Sequence, residues 1–85
     1  MNLTPEQCRA ARGLLDWTQE QLAEAAGVSR STVRDFEKER HHLNRSSEQL
    51  IVEAFERAGV MLIAAAGEGA EDPGAGVRLA SAAPR

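Results

Sequence analysis

Apolar residues recur at three- and four-residue steps in four stretches of the chain, the spacing that gathers side chains onto one face of an α-helix. Cys8, Ala11, Leu14 and Leu15 make the first stripe, Leu22, Ala23 and Ala26 the second, Val33 and Phe36 the third, and Leu50, Ile51, Ala54, Phe55 and Ala58 the fourth. Start and stop signals bracket them. Thr4, Pro5 and Gln7 predict a helix from Pro5 to about Leu15, headed by a capping box, with Pro where a missing N–H is harmless. Thr18 and Gln21 repeat the box, and Trp17 and Leu22 occupy the positions of a hydrophobic staple, so a second helix begins at Gln19. Gly27 ends it, because glycine enters the left-handed conformation at little steric cost and lets the chain reverse quickly. Ser29 is the next N-cap, Val28 and Val33 form another staple, and a third helix covers residues 30–39. The fourth is expected to begin after Ser46, with Gln49 in the capping-box position, and to end near Ala58, before Gly59.

The pattern then changes period. Residues 60–64, VMLIA, are a short apolar run rich in β-formers, and 76–79, GVRL, are a weaker one. Between them AAGEGAEDPGAG is turn or disorder. It is not a phosphate loop: its glycines fit no nucleotide fingerprint, no Gly-Lys-Ser/Thr follows, and its acids repel phosphate. The fold expected is mainly α, with a short C-terminal β-hairpin or strand pair. Its organisation is a helical domain over 1–59, a strand element over 60–80 and a flexible tail over 81–85.

Composition narrows the function. Apolar residues at 42% and charged residues at 27% fit a globular chain, and no run of about 18 apolar residues is present to span a membrane. The N-terminus lacks the pattern of a secretory signal, so a cytoplasmic location is expected. Cys8 has no cysteine to pair with, in keeping with a reducing compartment, and it is read as a small core residue opposite Leu3. His41 and His42 are adjacent and have only Cys8 as a further soft ligand, short of the roughly four ligands of a closed zinc site. No metal or other cofactor is expected. No Ser/His/Asp spacing supports an enzyme.

A net charge of −3 argues against a nucleic-acid partner until its distribution is considered. Residues 1–45 hold seven Lys or Arg and seven Asp or Glu, whereas residues 46–85 hold three and six, which accounts for the whole excess. Within 30–45 there are five basic side chains, three acidic ones and the two histidines. At about 100° per residue, burial of Val33 and Phe36 turns Ser31, Arg34, Asp35 and Lys38 outward, with Arg30 beside them. Arg9 and Arg12, on the first helix, are expected to be solvated.

Gln19, the small Ala23, the turn Ala26-Gly27-Val28-Ser29, and Val33 and Phe36 together resemble the Cro and C1 repressor type of helix-turn-helix, the xenobiotic-response-element regulators. The resemblance covers about residues 3–60 well and the tail loosely. It implies a four- to five-helix, lambda-repressor-like domain that binds double-stranded DNA with helix 30–39 in the major groove. Carried over position by position, the base-reading places fall on Arg30, Ser31 and Asp35, with Arg34 on the same face. Asp35 is suited either to accept from a cytosine amino group or to orient Arg34 or Arg30. Gln19, Ser29, Thr32 and Lys38 would meet the DNA backbone. So would Arg40, Asn44 and Arg45 of the loop, joined by His41 or His42. That loop lacks the glycine and proline many relatives carry.

The tail resembles small relatives in which such strands serve a dimer, which nominates Val60, Leu62, Ile63, Val77 and Leu79 for dimerisation. The alternative packs Met61 and Ile63 onto the chain's own helices. The function implied is a repressor that binds a pseudo-palindromic operator as a homodimer. The rival reading is an antitoxin- or adaptor-type module that chiefly binds a protein partner, such as a toxin or another regulator.

Overall fold

The computed structural model describes residues 2–64 and 74–80; the connecting stretch at 65–73 and the tail expected at 81–85 lie outside the described residues. Four helices, α1 (Pro5–Leu15), α2 (Gln19–Ala26), α3 (Arg30–Glu37) and α4 (Arg45–Arg57), precede an antiparallel pair, β1 (Val60–Ile63) and β2 (Gly76–Leu79).

Both capping boxes form. The Thr4 hydroxyl accepts from Gln7 N while Gln7 Oε1 accepts from Thr4 N, and Thr18 and Gln21 do the same for α2. Gly27 takes the left-handed conformation at φ 74° and closes α2. At the end of α1 the same task falls to Asp16 (φ 55°), with Trp17 N donating to the Arg12 carbonyl at 2.9 Å.

Two expectations are corrected. Helix α3 stops at Glu37, because Glu39 turns left-handed (φ 60°) and Arg40 N donates to the Asp35 carbonyl at 2.8 Å. Helix α4 starts at Arg45, ahead of the expected start. Asn44, not Ser46, is its cap and accepts from Ser47 N at 2.7 Å, while Gln49 bonds Glu53 instead of the helix head.

Leu22, Val33, Ile51, Phe55, Val60 and Cys8 are fully buried where the helices and β1 meet, and Trp17 stacks on Phe55 with ring centroids 6.1 Å apart. The register pairs Val60 with Leu79 and Leu62 with Val77. Alternation sends Val60 and Leu62 toward the core and leaves Met61 and Ile63 exposed, the reverse of the arrangement in which those two pack on the helices. Gln7, itself buried, donates from Nε2 to the Ile63 and Gly76 carbonyls at 2.9 and 3.1 Å, so the head of α1 holds the hairpin at the end where β1 finishes and β2 begins. Among the described residues no helix is long and apolar enough to cross a membrane.

Candidate nucleic-acid interface

Helices α2 and α3 are joined by Gly27, Val28 and Ser29 and share the apolar core, and one acidic residue of α3 ties it to both α1 and α2. Glu37 lies one helical turn beyond Val33 on the buried side of α3 and is only 4% exposed. Arg12 of α1 meets its carboxylate with two donors, Nε to Oε2 at 2.8 Å and Nη2 to Oε1 at 2.7 Å. Gln19 Nε2, from the first turn of α2, donates to Oε1 at 3.0 Å, and Cys8 Sγ donates to Oε2 at 3.0 Å. Arg9 donates to the Glu37 main-chain carbonyl, a basic side chain at the negative end of α3.

The charges follow from these partners. Burial opposes ionisation of Glu37, but the bonds from Arg12, Gln19 and Cys8 prevail and hold its carboxyl below the ordinary value. The bond to Glu37 raises the Arg12 pKa, against desolvation. Burial, reinforced by Glu37, pushes the Cys8 thiol up, so Cys8 remains a protonated donor. No buried side-chain nitrogen or oxygen among the described residues lacks a partner.

The expectation that Arg9 and Arg12 are solvated is therefore corrected: both fasten α1 to α3. Periodicity offered one signal, a charge at position 37 within the stripe defined by Val33 and Phe36, where a buried charge demands a partner.

On the opposite side of α3, Arg30 and Ser31 are exposed, and Arg34 and Asp35 are half-buried. Ser29 caps the helix by accepting from Thr32 N at 3.1 Å, and its hydroxyl contacts those of Ser31 and Thr32. The Asp35 carbonyl also accepts from His41 N, so the loop folds back along α3. Ser31, Thr32 and Asp35 then share a groove of about 220 Å³ with His41, His42, Asn44 and their neighbours. Lys38, Arg40 and Arg45 are exposed outside that groove.

A helix-turn-helix family model matches residues 9–57. The chain belongs to the Cro/C1-type helix-turn-helix family. No curated protein matches it in sequence. As a Cro/C1-type regulator it is a DNA-binding protein, and α3 stands second in its motif, the position of the helix that enters the major groove. The polar outer side of α3 and the loop beside it form one continuous surface of this Cro/C1-type domain. Gln19 differs from the other residues nominated for DNA: its side-chain amide is engaged by Glu37, and its main-chain N–H lies at the positive end of α2. Among the described residues no group of three or more His, Cys, Asp or Glu is placed to hold a metal ion.

Proposed function

We propose that the chain is a sequence-specific transcriptional regulator that binds a pseudo-palindromic operator as a homodimer, with α3 in the major groove, and represses by excluding other proteins from the site. One observation carries the reading: around the outer side of α3, Arg30, Lys38, Arg40 and Arg45 have no carboxylate partner among the described residues. Cations left unpaired beside a reading helix suit a polyanion, and like charges four apart, such as Arg30 and Arg34, are relieved by one. Arg30, Ser31, Arg34 and Asp35 are the base-reading candidates. Ser29, Thr32, Lys38, Arg40, Asn44 and Arg45 supply backbone contacts, with Gln19 contributing its main-chain N–H.

A single motif reads few base pairs, and pairing two on half-sites about one helical turn apart multiplies specificity. The hairpin supports that pairing. Among the described residues strand β2 has a partner on one side only, and Ile63 and Leu79 are exposed with Met61. Val60 faces its own core, and Leu62 and Val77, paired across the strands, pack against that core as well, so of the nominated residues Ile63 and Leu79 are the ones left exposed for a dimer contact.

The same exposed apolar surface supports the second reading, an antitoxin- or adaptor-type module. Sedimentation of the free chain and of its complex with the DNA upstream of its own gene, together with hydroxyl-radical footprinting, tests the proposal. Two protected half-sites and a two-to-one complex are expected, and both disappear in the Arg30→Glu/Arg34→Glu variant. A protein partner retained by that variant, with no footprint from the wild type, would favour the second reading.

A further inference from the structure

The described residues contain two ion pairs, and they differ in kind: Arg12–Glu37 is internal, while Arg34–Asp35 lies on the outer side of α3. Among the described residues, Arg34 is thus the one basic side chain between residues 30 and 45 with a carboxylate at hand. Its Nε donates to Asp35 Oδ1 at 3.2 Å. Asp35 is the more enclosed partner, with its side chain 23% exposed against 42% for Arg34. It lines the groove beside the loop, and its main-chain carbonyl holds Arg40 N and His41 N. The carboxylate is a seated support and the guanidinium is the projecting part.

Two chemical consequences follow. With Nε engaged, Arg34 presents its two terminal nitrogens, the parallel donors that fit guanine O6 and N7 end-on. A carboxylate at the base of the guanidinium also repels a phosphate, which bears a full charge, far more than it repels the neutral edge of a base. We propose that Asp35 is a positioning residue that sets specificity: it holds Arg34 for a guanine in the major groove and withholds it from the phosphate backbone. This rests on the reading of α3 as the helix in the groove. It divides the surface, with the unpaired cations meeting phosphates and the paired one meeting a base.

Selection from a random duplex library with the full chain tests the assignment, using the wild type, Arg34→Ala, Asp35→Asn and Asp35→Ala. Affinities are then measured for the selected site, for that site with its guanine replaced, and for random DNA at two salt concentrations. The wild type should require guanine at one position of each half-site, and Arg34→Ala should lose that requirement. Both Asp35 variants should weaken the guanine preference on the order of tenfold, the scale of one good bidentate contact. They should also bind random DNA more tightly, with a log–log salt slope steeper by about one, because the freed Arg34 neutralises a further phosphate. Melting curves confirm that each variant is folded, and the two substitutions at Asp35 guard against a defect peculiar to one. A wild-type guanine preference in both Asp35 variants would overturn the assignment. So would a changed preference at a cytosine elsewhere in the site, because Asp35 would then be reading a base itself. A wild type that selects no sequence would overturn the major-groove reading and this inference with it.

Discussion

The two polar sides of α3 hold charge in opposite states. On the inner side the Glu37 carboxylate accepts four hydrogen bonds from Arg12, Gln19 and Cys8, gathered from α1 and α2. On the outer side Arg30 has no ion pair among the described residues and Arg34 has only its neighbour Asp35. A buried charge is tolerable only with its partners in place, so the inner side fixes where α3 sits. An exposed charge contributes little to stability by itself, so the outer side remains available to a ligand. One short helix is held by one side and, in the proposed function, meets DNA with the other. Substitutions on the inner side should act first on folding, and those on the outer side on binding alone.

The largest effect is expected at Glu37. Glu37→Ala leaves Arg12 without its carboxylate and should destabilise the domain by about 3 kcal/mol or more, read from urea unfolding. Against a typical total of roughly 5–15 kcal/mol, that brings a small domain close to unfolding. Acid should act through the same group. The folded-state pKa of Glu37 lies below its ordinary value of 4.5, so its contribution is complete above that value and is lost as pH falls through the lower, folded one. A Glu37→Gln variant should show a flatter decline in stability below pH 4.5 than the wild type; equal slopes would remove Glu37 from the account.

Gln19 sharpens the comparison, because its side chain belongs to the inner network although its position nominates it for DNA. Gln19→Ala should lower stability by about 1.5–3 kcal/mol, the range of a hydrogen bond to a charged acceptor. An unchanged melting curve with weakened DNA binding would move Gln19 to the outer set. The smallest effect is an increase in stability. Glu39 holds a left-handed backbone, and its exposed carboxylate accepts no hydrogen bond among the described residues, so Glu39→Gly should raise stability by up to about 1 kcal/mol in a thermal melt.

These cases also mark how far the sequence could be read. Thr4 with Gln7 and Thr18 with Gln21 act within a single turn, so the starts of α1 and α2 were legible, as were the turn at Gly27 and the cap at Ser29. The start of α4 was ambiguous because Asn44, Ser46 and Ser47 are all able to cap, and residues of this local kind cannot rank themselves. The missing loop glycine hid the left-handed turn, which the chain makes at Glu39 regardless. VMLIA is apolar on both faces, so its alternation carried no phase and the inward choice of Val60 and Leu62 was illegible. The outward positions of α3 followed from its period. The Glu37 network did not, because Arg12 is 25 residues away along the chain and only the packed helices bring the two together.

The most direct test of the account sets the two sides against each other in one titration. Labelled DNA from upstream of the chain's own gene and a scrambled fragment of equal length are titrated with wild type and Arg34→Ala, with a urea melt of each protein alongside. The account predicts that the wild type prefers the upstream fragment, that Arg34→Ala loses most of that preference, and that the unfolding free energies agree to within about 0.5 kcal/mol. Undiminished preference in folded Arg34→Ala would contradict the claim that the outer side of α3 reads the sequence.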